Sequence, residues 1–145
     1  MRIFTVFPLL LIPVAIYNVI ALSGQEFASV DYVRSRLDED FQAIPMASDA
    51  LWHITPGHAL IALTVLFLFF ELIKSTGTGR AAIMNHAFSM ILFIVCLVEF
   101  LMFQAFATSV FFLIMMMCLL DVMAGFIVTI VSARRDFGMA EGFMD

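Results

Sequence analysis

Apolar residues in this chain are concentrated in four long runs separated by polar stretches. The runs cover residues 3–22, 57–73, 81–103 and 109–131. A helix that crosses the hydrocarbon core of a bilayer needs about 20 predominantly apolar residues. The pattern therefore predicts an all-α polytopic membrane protein, in which four transmembrane helices form one bundle and one domain over residues 1–145.

The first run could be mistaken for a signal peptide, because Arg2 precedes it. The apolar region of a signal peptide is about 7–15 residues long, and this run is longer. We therefore expect a retained helix. Pro8 and Pro13 are expected to bend it, since neighbouring helices can satisfy the backbone groups that a proline leaves free.

The segment 23–55, between the first two runs, predicts an amphipathic helix. It opens with "SGQE" (23–26), which fits an S-x-x-E capping box. Apolar residues follow at helical spacing until Pro45, with acidic residues on the other face. Such a helix either covers the mouth of the bundle at the membrane surface or docks a partner protein. Lipid-surface helices usually carry lysine and arginine, so the acidic face adds some weight to the partner interpretation without deciding between the two. The docking candidates are Phe27, Val30, Val33, Leu37 and Phe41.

The second run has a clear start signal. Thr55 followed by Pro56 is typical of an N-cap and the first helical residue. Trp52, three residues earlier, suits the headgroup level of a membrane, because its ring is apolar while its N–H stays hydrated.

Composition agrees with the apolar pattern, because 63% of the residues are hydrophobic and only 13% are charged. Soluble domains are about 45–50% apolar and about 25% charged. Cytoplasmic loops of membrane proteins carry most of the lysine and arginine. Both termini are therefore predicted to be cytoplasmic, with the tail 132–145 inside and the loop 23–55 outside. The cationic residues placed inside by this orientation are Arg2, Lys74, Arg80, Arg134 and Arg135.

Polar side chains inside the predicted spans fall into groups of similar depth, counted at about 1.5 Å per residue. Glu71 is level with Asn85 and His86 near the cytoplasmic end. Glu99 is level with Asn18 in the outer half, and Asp121 with Ser89 near the middle. Ionisable groups inside a membrane are rare and usually functional. For Asp121 two interpretations stay open: a functional carboxylate, or a hydrogen-bonded group that fixes the helix register.

Two stripes of small and polar residues predict how the last two helices pack. On the third helix, Asn85, Ser89, Cys96 and Glu99 share one face with Leu92 and Phe103. The fourth carries a matching stripe that continues to Ser132. Small residues let helix backbones approach closely, so we expect the stripes to face each other. The helix-packing candidates are Cys96, Cys118, Gly125 and Thr129.

Candidate chemistry beyond these polar groups is sparse. His53 and His58 lie at the outer mouth and His86 near the inner one, so no pair suits a heme between two helices. His53 and His58 with Asp49 could bind a surface metal, but their spacing fits no helical ligand pattern. We predict no cofactor, no metal site and no catalytic residue, because phosphate-loop, nucleophile-elbow and HExxH motifs are absent from the sequence. No basic patch indicates nucleic acid.

Four stretches carry a resemblance: "FELIKSTGTG" (70–79), "NHAFSMILFIVCLVEFLM" (85–102), "ATSVFFL" (107–113) and "DVMAGFIVTIVSARRDFG" (121–138). Together they resemble a type of small four-helix inner-membrane protein of alphaproteobacteria. The resemblance covers the last three helices. It implies a multi-pass protein of the bacterial inner membrane and a helical fold, and it implies no activity.

Three functions are compatible with the sequence. The first is a non-catalytic accessory or scaffold subunit of a larger inner-membrane complex, or a homo-oligomer, surrounded by lipid. The second is a small proton-linked carrier or channel-like bundle that uses Glu71, Glu99 and Asp121 as a relay. The third is an anchor subunit associated with quinone or heme.

Overall fold

The computed structural model describes the side chains of residues 6–23, 29–75 and 81–131, and the helical backbone at 80 and 132–141. The protein is mostly helical. In chain order the elements are α1 (Leu11–Leu22), α2 (Val30–Leu37), β1 (Gln42–Pro45), β2 (Leu51–Ile54), α3 (Pro56–Ser75), α4 (Arg80–Met102), a 3-10 helix (Gln104–Phe106) and α5 (Ser109–Glu141).

Three helices are long and apolar enough to cross a membrane: Pro56–Ser75, Ala81–Met102 and the part of α5 at Ser109–Val131. In the most apolar stretch of α5, 44% of the residues are buried inside the protein, against 22% in the corresponding stretch of each of the other two helices. The remaining surface of these helices exposes large apolar side chains, including Phe69, Ile91 and Ile127. α5 is therefore the central helix of a bundle whose outer surface suits lipid.

The helix predicted over 3–22 is interrupted within the described residues. Val6 is helical, residues 7–10 are not, and α1 begins at Leu11. Leu11 N and Ile12 N donate to Pro8 O and Leu9 O in the turn before it. Proline lacks a backbone donor and clashes with the preceding turn of a helix, which explains a break at Pro8. Pro13 lies in the first turn of α1, where its missing N–H leaves no helix bond unmade. At about 1.5 Å per residue, the 12 residues of α1 extend about 18 Å.

The loop 23–55 also differs from its predicted long helix. α2 has 8 residues and ends at Leu37. Acidic residues oppose the negative end of a helix dipole, so Asp38, Glu39 and Asp40 disfavour its continuation. An antiparallel hairpin follows, pairing Gln42 with Ile54 and Pro45 with Leu51. Ser23, the first residue of the predicted capping box, instead ends α1 as its C-cap, and its Oγ donates to Ile20 O at 3.0 Å. The rest of the box and Phe27 lie outside the described residues.

Burial divides the docking candidates of this loop. Val33 and Leu37 are 0% and 1% exposed, because they turn toward the bundle and join its core. Val30 is half-buried. Phe41, on the hairpin, is 78% exposed. The apolar face of α2 therefore closes one end of the bundle itself, and only Phe41 of the described candidates is fully accessible.

Thr55 caps α3 as the sequence indicates. Its Oγ1 accepts a hydrogen bond of 3.2 Å from His58 N, and His58 Nδ1 lies 3.4 Å from Thr55 N. The two residues thus form a reciprocal cap in which histidine takes the usual place of glutamate. Gly57, the next residue after Pro56, permits close packing here: an added Cβ would lie 3.0 Å from Val110 Cγ2 and 3.1 Å from Leu37 O.

A cluster of aromatic rings joins α1 to the start of α5 at the same end of the bundle. Tyr17 is fully buried, with ring centroids 4.7 Å from Phe111 and 5.6 Å from Phe106. Its hydroxyl donates to Ala105 O at 3.0 Å and lies 2.6 Å from Thr108 Oγ1. Thr108 in turn caps α5 by accepting from Phe111 N. These contacts fix α1 against the turn between α4 and α5.

The small and polar stripes of α4 and α5 face each other in the bundle. Cys96 and Cys118, one from each stripe, are buried free thiols in the core between these helices. Phe103 departs from the predicted stripe, because α4 ends at Met102 and the Phe103 side chain is 51% exposed. α5 continues as a helix to Glu141, through most of the predicted tail.

Candidate functional site

Glu71 forms a buried clamp at the end of the bundle where α3 finishes and α4 begins. Its carboxylate is 0% exposed and accepts hydrogen bonds from Leu9 N at 2.8 Å and Asn85 Nδ2 at 2.6 Å. Lys74 Nζ lies 3.0 Å and 3.2 Å from the two carboxylate oxygens and donates to Phe7 O at 2.7 Å. Because a buried charge is tolerated only when it is paired and hydrogen-bonded, Glu71 holds the broken segment before α1 onto α3 and α4.

A polar cavity of about 100 Å³ lies beside this clamp, mainly between α4 and α5. The residues that line it come from the C-terminal end of α3, the first turns of α4 and the middle of α5. They are Ser75, Ala82, Ile83, Asn85, His86, Ser89, Asp121, Gly125, Val128 and Thr129. Four of the intramembrane residues singled out from the sequence thus meet around one space.

The cavity is distinguished by polar atoms that lack a partner. Asn85 Oδ1, His86 Nε2, Ser89 Oγ and Asp121 Oδ2 are buried, and none has a hydrogen-bond partner in the part of the chain that the structure describes. All four belong to cavity-lining residues. Asn85, Ser89 and Asp121 are only 2–3% exposed. Each unsatisfied buried group costs about 1–3 kcal/mol. Ser89 and Asp121 are close enough to offset part of this cost by bonding each other, and a small polar occupant would satisfy the remaining atoms.

Gly125 and Phe126 set the position of the His86 ring. A Cβ on Gly125 would collide with the imidazole, coming within 2.6 Å of Cε1 and 2.8 Å of Cγ. The edge of Phe126 meets the ring at a centroid distance of 4.8 Å and an angle of 85°. Glycine at 125 is thus needed for space, and the ring that occupies this space presents Nε2 among the cavity atoms.

Asp121 lies opposite Ser89, as depth counting predicted. Ser89, Glu71 and Lys74 are all near enough to act on its carboxyl group. The charges of Glu71 and Lys74 offset one another, so neither neutralises Asp121. Beyond Ser89 and Asp121 the helices close on buried apolar residues: Leu92, Cys96, Ile114 and Cys118. The polar cavity therefore stops near the middle of the bundle.

Glu99 lies away from this cavity. Asn18 Nδ2 is 3.4 Å from Glu99 Oε2 and also donates to Val14 O at 3.1 Å. Glu99 follows Ser89 by ten residues on α4, or about 15 Å along the helix. Glu71 is committed to Lys74 and Asn85. Among the described residues, the three carboxylates of the predicted relay therefore have no continuous polar connection.

The other sequence candidates take separate places. Thr129 is exposed at the cavity rim, where its hydroxyl donates to Gly125 O on its own helix at 2.9 Å. This bond is within α5, so the role predicted for Thr129 in helix packing stays a prediction. His53 Nδ1 lies 3.2 Å from Asp40 Oδ2, and His58 is part of the α3 cap. No group of three or more His, Cys, Asp or Glu side chains that could hold a metal occurs within the described ranges.

Sequence reasoning missed Tyr17, Thr108 and the role of Lys74. Thr108 directly before Ser109 has the form of an N-cap signal. A tyrosine in the middle of an apolar run requires a partner for its hydroxyl, and that requirement was the available signal for Tyr17. No local signal in the sequence indicates that Lys74 bonds Phe7. A contact between residues so far apart in the chain is determined by tertiary packing.

Comparison with protein-family models, with curated proteins and with solved structures finds no match to this chain.

Proposed function

We propose that the protein is a small proton-linked carrier of the bacterial inner membrane, in which Asp121 is the proton-accepting group. The observation that supports this proposal is the convergence of four unpartnered buried polar atoms on one cavity that contains Asp121. A cavity of about 100 Å³ has room for several water molecules, since a water occupies about 30 Å³ in the liquid. Waters there would connect Asp121 to the end of the bundle.

The proposed topology has four membrane crossings with both termini in the cytoplasm. The segment that includes α1 runs beside α3, because Leu9 bonds Glu71 at one end and Tyr17 bonds Thr108 at the other. Lys74 lies at the same end as the cavity. Lysine and arginine concentrate on the cytoplasmic side, so the cavity belongs to that side in this topology.

The closed apolar level at Cys96 and Cys118 fits a carrier better than an open pore. A carrier exposes its site to one side at a time, and movement of one helix group against another opens the other side. Within this proposal, the arrangement of helices described above would be the state whose site faces the cytoplasm.

Proton uptake by reconstituted vesicles tests the proposal. Purified protein is placed in liposomes that contain a pH-sensitive dye with sodium and potassium chloride, and dilution into choline chloride creates an outward gradient of small cations that can exchange for protons. We expect the wild type to acidify the interior and Asp121→Asn to lose this activity, because an amide cannot carry the proton.

Glu99→Gln is the matched control, since Glu99 lies outside the cavity and is expected to leave uptake unchanged. Gel filtration and thermal melting establish that both variants are folded. Uptake by folded Asp121→Asn at the wild-type rate would contradict the proposal, and equal loss in Glu99→Gln would move the proton path away from the cavity.

The accessory-subunit hypothesis stays a prediction. Val33 and Leu37 are buried, so its docking surface on the loop is reduced to Val30 and Phe41 among the described residues. Co-purification from native membranes in mild detergent tests it.

A further inference from the structure

The polar cavity presents hydrogen-bond acceptors more than donors. Asn85 Nδ2 is held by Glu71 Oε1 at 2.6 Å, and this bond fixes the amide so that Oδ1 is the atom without a partner. Ionised Asp121 Oδ2 is an acceptor, and Ser89 Oγ has lone pairs to offer. The fourth atom, His86 Nε2, is also an acceptor when the proton of the neutral ring is on Nδ1. An occupant that satisfies these oxygens has to be a proton donor or a cation.

The charges around the cavity leave one negative charge unpaired among the described side chains. Lys74 is engaged by both Glu71 oxygens and by Phe7 O, so this pair contributes no net charge. Asp121 has no ion-pair partner in the described part of the chain. A single positive charge is therefore the complement of the ionised site.

The size of the cavity limits the occupant further. Pockets for drug-sized organic ligands have volumes of about 300–1,000 Å³, and this one has about 100 Å³. An organic cation larger than a few heavy atoms does not fit. An inorganic ion with one or two retained waters does.

The kinds of ligand atom exclude most multivalent metals. Calcium takes about 6–8 oxygen ligands, usually with several carboxylates, and Asp121 is the one unpaired carboxylate here. Zinc sites use three or four Cys, His or acidic side chains, whereas His86 and Asp121 are the two available among the residues described around the cavity. Carboxylate, amide and hydroxyl oxygens suit a hard monovalent ion.

From these four constraints we propose that the polar cavity binds one small monovalent inorganic cation between Asp121, Asn85 and Ser89. Sodium is the ion used to test this proposal. The proposal rests on the carrier function above and names its cargo class. Asp121 then carries either the cation or a proton, which makes the two compete for one carboxylate and couples their movements.

Equilibrium binding of radioactive sodium to the full-length protein in detergent tests this proposal, with choline chloride holding ionic strength constant. We expect saturable binding of one ion per chain. Asp121→Asn is expected to abolish it, and Ser89→Ala to weaken it by about tenfold, since a contact to a charged partner is lost. Glu99→Gln is the control, expected to bind like wild type. Lithium and potassium should displace the label, whereas calcium and tetramethylammonium should not.

Absence of saturable binding by wild type, or unchanged binding by both folded cavity variants, would overturn the cation site. Displacement by calcium as effective as by lithium would overturn its monovalent class. Proton uptake that depends on Asp121 without any sodium binding would leave the carrier proposal standing and remove only this inference. Sodium binding without proton uptake would keep the cation site and remove its coupling to protons.

Discussion

Single buried hydroxyl groups hold distant parts of this chain together, and Tyr17 is the clearest case. The chain has two tyrosines. Tyr17 is 0% exposed and bonds Ala105 and Thr108 across a separation of about ninety residues. Tyr32 is half-buried, and its hydroxyl lies 3.4 Å from Ser23 Oγ. The two tyrosines therefore allow a direct comparison between a buried hydroxyl, in Tyr17, and a more accessible one, in Tyr32.

Tyr17→Phe is expected to lower the free energy of unfolding by about 1–2 kcal/mol, because Ala105 O and Thr108 Oγ1 lose a buried partner. Tyr32→Phe is expected to change it by less than about 0.5 kcal/mol, as surface substitutions usually do. Titration with a denaturing detergent, followed by circular dichroism, measures both. Equal stability of the two variants would show that the Tyr17 hydroxyl contributes nothing to holding α1.

Glu71 and Asp121 show how environment separates two carboxylates of the same bundle. Glu71 is fully buried, and three donors satisfy it. Asp121 is 2% exposed, with one oxygen unpartnered among the described residues. Residue depth alone predicted neighbours for both, but it could not predict that Lys74 pairs with one and leaves the other free.

Among the described elements, the apolar pattern predicted neither the short 3-10 helix nor the larger β-hairpin. Its strands carry exposed apolar side chains, with Leu51 60% and Trp52 52% exposed. β2 leads through Thr55 directly into α3, the first of the three helices long enough to span. In a membrane these side chains therefore lie at the level where a span begins, and an indole ring is favourable there.

Trp52 is the single tryptophan of the chain, so its fluorescence reports on the hairpin alone. In vesicles we expect phospholipids brominated high on the acyl chain to quench it more than those brominated near the chain end. Trp52→Phe protein supplies the blank. Quenching by aqueous acrylamide as strong as that of free tryptophan, without quenching by brominated lipid, would place the hairpin in water.

The local sequence pattern predicted the ends of α4 and of the apolar part of α5 accurately, but it did not predict the structure of the loop 23–55. The bounds of α4 and of the apolar part of α5 lie within one residue of the predicted 81–103 and 109–131. A single apolar segment of this length can satisfy its backbone hydrogen bonds in lipid only as a helix. The helix predicted in the loop 23–55, from the capping box up to Pro45, relied on the helical spacing of six apolar residues. A short helix followed by a hairpin buries Val33 and Leu37 equally well, and local spacing could not distinguish the two arrangements.

For the whole molecule, the number of crossings depends on the segment that contains α1. About 18 Å of helix does not cross a hydrocarbon core of about 30 Å unaided. The contacts of Leu9 with α3 and of Tyr17 with Thr108 nevertheless place this segment along the bundle. Four crossings put the termini on the same side of the membrane, and three put them on opposite sides.

Reporter fusions decide between these topologies. Green fluorescent protein becomes fluorescent in the bacterial cytoplasm, but it stays dark when it is exported through the general secretory pathway. It is fused in turn to each terminus. We expect both fusions to be fluorescent, because both termini are cytoplasmic in a four-crossing bundle. A fluorescent C-terminal fusion with a dark, stably expressed N-terminal fusion would instead establish three crossings.

The sequence by itself determined that this is a helical membrane protein, where its three long spans lie, and which polar residues share a depth. These properties follow from length, hydropathy and helical rise, which are local quantities. Tertiary structure alone decided that Pro8 breaks the first run, that Lys74 is committed to Glu71, and that Gly125 makes room for His86. Those depend on which surfaces meet in space, and the cavity around Asp121 exists only because they meet as they do.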